Sequence, residues 1–128
     1  MQSQLTAVPY NQMVARRFAS EQALNQLFRA LADGTRRDIV ARSLTDSLSV
    51  SDLAARYEMS FAAVQKHVAV LERAGLVTKE RTGRRKVVRT NIEGLRLARS
   101  LLDQYEALWR GRIERMSDLI AATEEMDR

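Results

Sequence analysis

The sequence predicts a mainly α-helical fold with four helices, a two-stranded β-hairpin and a long C-terminal helix. Two observations support this fold class. Between Ser60 and Gly75, apolar residues recur at helical spacing, after a typical N-capping residue and before a residue that favours the left-handed end of a helix. Beyond Gly75, two extended runs (76–81 and 86–90) flank four residues that include a glycine, which is typical of a β-hairpin.

The composition limits the classes of function that the chain can have. Its 128 residues, 45% hydrophobic and 29% charged, are enough for one domain with a core, and a net charge of +5 favours a polyanionic partner. With no cysteine and a single histidine, thiolate and His-rich metal sites are excluded, and we expect no metal and no other cofactor. No apolar stretch approaches the roughly 20 residues that cross a bilayer, and no secretion signal is recognisable. We therefore expect a cytoplasmic protein with no membrane partner.

The ends of the chain are the least informative. Residues 1–19 are expected to form an N-terminal extension that is partly disordered or contains a short helix over residues 10–19. The domain itself, including its dimerisation helices, is expected to extend over residues 20–123, and residues 124–128 are expected to form a flexible tail.

Two helices are predicted at the start of the domain. Ser20 is expected to cap the first helix, which ends at Leu31, and Thr35 to cap the second, with Asp38 completing a capping box. The arginines at 36 and 37 have two open roles, contact with phosphates or pairing with nearby aspartates. The apolar residues expected to face inward are Leu24, Leu27, Phe28, Leu31, Ile39, Val40 and Leu44.

A helix-turn-helix follows. Ser49 and Asp52 are spaced to begin a short helix that bears Leu53, Ala54 and Tyr57, and residues 58–59 form a tight turn before Ser60. Two short helices separated by three or four residues have the layout of a helix-turn-helix.

The helix after Ser60 has two different faces. Phe61, Val64, Val68 and Leu71 form the stripe that is expected to be buried. The opposite face carries Ala62, Ala63, Lys66, Ala69 and Arg73, with Gln65 at its edge. Short side chains allow close approach to a DNA major groove, where Gln65 and Lys66 offer hydrogen bonds to base edges and Ser60 lies where a phosphate binds. The alternative is a plain amphipathic helix with a solvated face.

The hairpin is strongly basic. Between Lys79 and Arg89 its only acidic residue is Glu80. A solvated hairpin is one explanation of this charge. A basic hairpin directly after a groove-binding helix is better explained as a wing that contacts the DNA backbone or minor groove through Arg84, Arg85 and Lys86.

The last helix, from Asn91 to about Thr123, repeats apolar residues every three or four positions. This is more apolar surface than the terminal helix of a small monomer can bury, and such a surface usually marks an interface. We expect a dimer in which it packs with the helix over 20–31, the alternative being packing wholly within the monomer. The predicted interface residues are Leu24, Leu27, Phe28, Leu102, Tyr105, Leu108, Trp109, Ile113, Met116, Leu119 and Ile120.

Three segments resemble ArsR-type winged-helix repressors over roughly residues 20–120. Residues 31–40, LADGTRRDIV, resemble the opening L-A-D-P-T-R-R-x-I-L of that family. Residues 59–68, MSFAAVQKHV, and 71–77, LERAGLV, are similar to its recognition segment S-x-x-A-V-S-x-H-L-x-x-L-x-x-A-G-L-V. The final helix, with Tyr105, Trp109 and Arg112, looks like the aromatic C-terminal helix of the cysteine-free members.

This resemblance implies a homodimer of α-α-α-α-β-β-α order that binds a near-palindromic operator on double-stranded DNA and is released by a signal. It leaves His67 two roles, approach to a phosphate or bracing of the helix. Gln65 replaces the usual serine, so base preference does not transfer, and metal sensing is not implied because the metal-binding Cys and His positions are absent. The residues predicted to bind DNA are Ser60, Phe61, Ala62, Ala63, Gln65, Lys66, His67, Arg84, Arg85 and Lys86.

The sequence thus predicts a sequence-specific, autoregulatory transcriptional repressor whose small-molecule or protein effector is unknown. Two alternatives from other classes are a sequence-tolerant architectural DNA-binding protein and a winged-helix module that binds protein. An enzyme is not expected, because there is no cysteine nucleophile and His67 has no motif-spaced Ser or Asp for a triad.

Overall fold

A computed structural model describes the backbone of residues 10–126 and the side chains of residues 20–126. Residues 1–9 of the predicted N-terminal extension over 1–19, and residues 127–128 of the predicted tail, lie outside the described residues. The mainly α winged helix-turn-helix class is confirmed. The elements are α1 (Tyr10–Leu31), α2 (Gly34–Thr45), α3 (Val50–Ala54), α4 (Phe61–Arg73), β1 (Val77–Thr82), β2 (Arg85–Thr90) and α5 (Ile92–Met126).

The first helix is longer than predicted. Helix α1 continues without a break from Tyr10 to Leu31, so Ser20 lies inside it and the predicted cap at Ser20 is wrong. The physical reason is that residues 10–19 contain neither glycine nor proline, so nothing interrupts the helix before Ser20.

The start of α2 also differs from the prediction. Asp33, with extended backbone, is the N-cap, and its carboxylate accepts from the backbone N–H of Arg36 at 3.0 Å. The predicted Thr35–Asp38 capping box is therefore wrong, because a strong capping residue begins the helix earlier. Arg36 and Arg37 donate to backbone carbonyls of α1, Arg36 to Ala30 and Arg37 to Leu31, each at 2.7 Å. These arginines therefore attach α2 to the C-terminal end of α1.

The capping predictions for the helix-turn-helix are confirmed. Asp52 N–H donates to Ser49 Oγ at 3.1 Å and Ser49 N–H donates to Asp52 Oδ2 at 2.9 Å, which is the reciprocal capping box. Ser60 Oγ accepts from Ala63 N–H at 3.1 Å at the start of α4. Gly75 ends that helix with a φ of 79°, which is the left-handed conformation.

The hairpin has a tighter turn than predicted. Val77 pairs with Thr90 and Thr82 pairs with Arg85, so the loop is Gly83-Arg84, two residues rather than four. Gly83 has a φ of 65°, as a two-residue hairpin turn requires. The hairpin is joined to the helical part by the N–H of Val88, which donates to the carbonyl of Leu48 at 2.8 Å.

The described residues divide into two compact units, one ending at Leu95 and the other beginning at Arg96. In the first unit, the apolar stripes of the helices and the inward face of the hairpin form one core. Its largest fully buried side chains are Leu27, Ile39, Leu53, Val64, Val68, Leu71, Leu76, Val77, Val87 and Val88.

Two burial predictions are wrong, and one residue predicted for the dimer interface is buried in the core. Phe61 is 48% exposed, because it is the first residue of α4 and has no preceding helical turn to cover it. Leu44 is 55% exposed, because Ser43, three residues after Val40, takes the buried position at the end of α2. Leu27 is fully buried within one chain, so its side chain is not available to a dimer interface.

Gly94 allows the start of α5 to lie close to the end of α4. A Cβ at this position would clash with the Gly75 carbonyl oxygen, because the two atoms would be much closer than the van der Waals distance. That same carbonyl accepts a hydrogen bond from Asn91 Nδ2 at 2.9 Å, and Asn91 N–H donates to the Leu76 carbonyl at 2.8 Å. These contacts fix the chain where β2 leads into α5.

Candidate nucleic-acid interface

The outward face of α4 has the small side chains that the sequence predicted. Ser60, Ala62, Gln65 and Lys66 are exposed, and Ala63 is half-buried. The opposite face is fixed in the core by Val64, Val68 and Leu71. The polar and apolar faces of this helix are thus cleanly separated.

Within the described residues, the side chains of Gln65 and Lys66 have no hydrogen-bond or ion-pair partner. Their polar ends are therefore available to an external ligand. The N-terminus of α4 lies on the same exposed side at Ser60, and free N–H groups at a helix start attract anions. The arrangement combines hydrogen-bonding groups for base edges with a position for a phosphate.

His67 contacts protein rather than solvent alone. Its Nδ1 atom lies 3.4 Å from Nη1 of Arg36, whose other guanidinium nitrogens donate to the carbonyls of Ala30 and Arg29 at 2.7 and 3.1 Å. Because arginine is only a donor, a hydrogen bond between these two atoms has Nδ1 of His67 as its acceptor. The contact supports the bracing role for His67, since it connects α4 to α2 and to the end of α1.

At the tip of the hairpin, the three predicted basic residues have different surroundings. Arg84 occupies the turn, and the exposed Lys86 follows on β2. Arg85 is half-exposed and forms an ion pair with Asp52 of α3, a partner that the sequence analysis missed because the two are 33 residues apart. Hydrogen bonds from the backbone and side chain of Ser49, together with the charge on Arg85, hold the pKa of Asp52 below its usual range.

The strand register reveals a further basic residue that the sequence analysis did not select. Arg81 on β1 is directly opposite Lys86 on β2, and side chains of directly paired residues lie on the same face of a hairpin. Like charges in this position are destabilising unless an anion lies between them. Neither residue has an ion-pair partner within residues 20–126, whereas Lys79 lies 3.9 Å from Glu72 and Arg89 lies 3.4 Å from Glu80. Only the register, which depends on the turn length, identifies this pair.

The predicted interface residues on α5 are exposed. Leu108 is 71% and Trp109 59% exposed, and the same holds for Leu102, Tyr105, Ile113, Met116, Leu119 and Ile120. On α1, Leu24 and Phe28 are half-buried.

Two kinds of site are not found in the part of the chain that the structure describes. Residues 20–126 contain no cluster of three or more His, Asp or Glu side chains suited to a metal ion. No helix among the described residues has the length and apolarity needed to cross a membrane.

Comparison with known proteins agrees with this geometry. The family model "Bacterial regulatory protein, arsR family" matches residues 33–79, which include the helix-turn-helix and the start of β1. The HTH-type transcriptional regulator Rv2034 of Mycobacterium tuberculosis is 40% identical over 81 residues, which are 63% of this chain and 76% of that protein.

Solved structures show the same fold. The crystal structure of the ArsR family transcriptional regulator RHA00566 superimposes with a TM-score of 0.65 at 30% identity, covering 70% of this chain and 93% of that one. A solution structure of the homodimeric winged helix-turn-helix DNA-binding domain of Mb0332 from Mycobacterium bovis has a TM-score of 0.59 at 22% identity, covering 79% and 91% of the two chains.

These relatives are transcriptional regulators and not enzymes, which confirms the prediction that the chain is not an enzyme. Together with the capped α4, its exposed polar face and the basic hairpin, they identify this chain as a member of the ArsR family of bacterial transcriptional regulators, with a DNA-binding winged helix-turn-helix.

Proposed function

We propose that this protein is a dimeric, sequence-specific transcriptional repressor that binds a near-palindromic operator, its own promoter included. The observation that supports this most strongly is the outward face of α4. Gln65 and Lys66 extend from it without partners in the described chain, between small alanine side chains that permit close approach to DNA. This is the requirement for a helix that enters a major groove.

In the proposed complex, α4 supplies base contacts and the N-terminus at Ser60 binds a phosphate. Glutamine is suited to bidentate recognition of adenine, and lysine to the acceptor atoms of guanine. Phe61, exposed at the first position of α4, is placed to contact a thymine methyl group or a sugar. Each good bidentate contact contributes roughly 1–3 kcal/mol of discrimination against the wrong base.

The hairpin supplies affinity that depends on salt. Arg84 in the turn and the Arg81–Lys86 pair present positive charge that a phosphate backbone neutralises. Arg85 contributes less in this proposal, because its guanidinium is shared between phosphate and the Asp52 carboxylate. An anion beside Arg81 and Lys86 relieves their mutual repulsion, which makes the wing more favourable on DNA than in free solution.

The exposed apolar stripe of α5 supports the dimerisation that the proposed function includes. Large apolar surfaces on small proteins usually mark interfaces, and the Mycobacterium bovis domain of the same fold is a homodimer. Two-fold pairing through α5 would present two copies of α4 to successive major grooves about 34–36 Å apart.

The regulating signal in this proposal is not a metal bound by thiolates. The chain has no cysteine, and residues 20–126 hold no cluster of carboxylates and histidine suited to a metal. A repressor of this kind acts where the chromosome lies, in the cytoplasm of a bacterium.

The test is selection of DNA fragments from a random pool by the purified full chain. We expect an inverted repeat with half-site centres about 10–10.5 base pairs apart, bound at least 10³-fold more tightly than random DNA at physiological salt. Selected fragments without a common sequence would instead indicate an architectural DNA-binding protein. Failure to retain any DNA at low salt would indicate a winged helix that binds protein.

A further inference from the structure

Three side chains, Asp38, Arg42 and Tyr57, form a closed network between α2 and the turn of the helix-turn-helix. The hydroxyl of Tyr57 donates to Asp38 Oδ2 at 2.5 Å, and Arg42 Nε donates to the same oxygen at 2.7 Å. The guanidinium carbon of Arg42 also lies 5.8 Å from the centre of the Tyr57 ring, within the range of a cation–π contact. Each of the three side chains thus contacts the other two.

The network joins two elements that are distant in sequence. Asp38 and Arg42 lie one turn apart on α2, whereas Tyr57 lies between α3 and α4, three residues before the Ser60 cap. The Asp38–Arg42 pair is an ordinary helical ion pair that needs no third member. The tyrosine hydroxyl is therefore the group that attaches the turn to α2.

The backbone of the turn has few other attachments. The N–H of Tyr57 donates to the Ala54 carbonyl at 3.4 Å, and the next backbone hydrogen bond along the chain is that of Val64 N–H to Ser60 at 3.1 Å. In the described structure, residues 58 and 59 make no hydrogen bond to another backbone group. Only residues 58 and 59 separate Tyr57 from the Ser60 cap, so the position of Tyr57 limits where α4 can begin.

The charges of the network favour a persistent hydrogen bond. Hydrogen bonds from Tyr57 and Arg42 hold the pKa of Asp38 below its usual range, so its carboxylate is ionised at neutral pH. Burial, together with the Asp38 contact, raises the pKa of Tyr57 to about 12, so its hydroxyl keeps the proton that it donates. A neutral donor and an ionised acceptor make a charge-assisted hydrogen bond, which is stronger than a neutral one.

We propose that Tyr57 is a positioning residue for base recognition: its hydroxyl, bound to the Asp38–Arg42 pair, sets where α4 begins relative to α2. The inference rests on the proposed function. Base contacts require alignment within about 0.5 Å, whereas phosphate contacts tolerate larger displacements. Loss of the hydroxyl therefore lowers discrimination between DNA sequences more than it lowers general DNA affinity.

The test uses Tyr57→Phe, which keeps the ring beside Arg42 and removes only the hydroxyl. Affinity for the selected operator and for random DNA is measured by fluorescence anisotropy, well below the unfolding temperature of each variant. We expect roughly a tenfold loss on the operator, no change on random DNA and an unchanged salt slope. Thr45→Val, which removes an exposed hydroxyl at the end of α2, is the control and should leave both affinities unchanged.

A double-mutant cycle separates positioning from general stability. If Tyr57 acts through the base contacts of α4, its loss has a smaller effect once Lys66 is removed, so Tyr57→Phe should cost less in a Lys66→Ala background. Full additivity, or an equal loss on operator and random DNA, would overturn the proposal.

A measurement without DNA keeps this inference separate from the proposed function. In Tyr57→Phe, amide hydrogen exchange of residues 63 and 64, whose N–H groups are bonded to Ser60, should become faster while that of residues 39–42 stays unchanged. If the wild type shows no operator preference, the proposed function fails, and the exchange result alone decides the positioning role. Unchanged exchange at residues 63 and 64 would overturn it.

Discussion

Helix α4 and the C-terminal segment of α5, residues 96–126, use their apolar side chains in opposite ways. In α4, Val64, Val68 and Leu71 are fully buried, and the exposed face is small and polar. In the C-terminal segment, Leu108 and Trp109 remain mostly exposed, as do the other large apolar residues of the predicted interface. The first helix is stabilised within its own chain, whereas the second presents a surface that needs another apolar surface to cover it.

This difference assigns the two regions distinct tasks. Burial holds α4 in a single orientation, so its polar face can be complementary to a ligand. In the proposed function, the exposed stripe of the C-terminal segment pairs two chains. Substitutions in the two regions, from the largest expected effect to the smallest, test whether the regions behave as differently as their burial indicates.

The largest effect is expected from a charge in the exposed stripe. Leu108→Asp should make the chain monomeric, because a dimer would bury the new carboxylate without a partner. Each half-site would then be bound alone, and operator affinity should fall by about 10²–10⁴-fold. Operator titration of the variant, with its mass measured by light scattering, checks this.

Ser117→Asp is the matched control, since it introduces the same charge at an exposed polar position of the same helix. It should leave both mass and operator affinity unchanged. A dimeric Leu108→Asp variant with normal operator binding would remove the distinction between the two regions.

The second effect concerns the buried face of α4. Leu71→Ala should lower the free energy of unfolding by about 2–5 kcal/mol, because it leaves a cavity in a fully buried site. The loss should be the same when Leu108→Asp is also present, because Leu71 stabilises each chain by itself. Urea denaturation of the single and double variants measures it.

Leu44→Ala, at the exposed end of α2, is the control and should cost only about 0.5 kcal/mol. If Leu71→Ala were no more harmful than Leu44→Ala, the assigned core would be wrong.

The third effect separates the polar face of α4 from the hairpin. Lys66→Ala should weaken operator binding by roughly 1–3 kcal/mol with little change on random DNA, because a base contact is lost. Arg84→Ala should weaken binding to both DNAs and reduce the salt slope by about 0.9, because a phosphate contact is lost. Salt titrations of both variants on both DNAs provide the measurement.

Arg85→Ala adds a comparison within the hairpin. It should reduce the salt slope less than Arg84→Ala does, because Asp52 already neutralises part of its charge. Equal losses on operator and random DNA for Lys66→Ala and Arg84→Ala would contradict the assigned roles.

The smallest effect is expected at Ser43. Its hydroxyl is buried and, in the described structure, has no hydrogen-bond partner. Replacing an unsatisfied polar group by an apolar one removes its desolvation cost, so Ser43→Ala should be neutral or stabilise the fold by about 1 kcal/mol. Thermal denaturation measures the change, and a clear loss of stability would show that the hydroxyl has a partner in solution.

Local features of the fold could be predicted from the sequence, because their causes lie within a few residues. The Ser49–Asp52 capping box, the Ser60 cap and the left-handed Gly75 all depend on neighbours in the chain. The cap at Ser20 was wrong because an uninterrupted helix on its N-terminal side outweighed a good capping residue. Local signals thus identified the elements better than their boundaries.

Contacts between distant residues could not be predicted in this way. The ion pair of Arg85 with Asp52 and the hydrogen bond of Tyr57 to Asp38 depend on how the hairpin and the turn pack on the other helices. The Arg81–Lys86 pair depends on the strand register. The sequence predicted a turn of four residues, whereas the hairpin has a turn of two, so the register did not follow from the sequence. For the site, the sequence therefore indicated which side chains face outward, but not which of them form ion pairs or hydrogen bonds with other residues of the chain.

The central claim is that the exposed stripe of α5 joins two copies of the chain, so that two α4 helices are presented to one operator. Sedimentation equilibrium of the unsubstituted 128-residue chain without DNA tests it most directly. We predict a mass of twice 14.6 kDa at micromolar concentrations, and the single-chain mass for Leu108→Asp. A wild-type mass of 14.6 kDa at every concentration would contradict it.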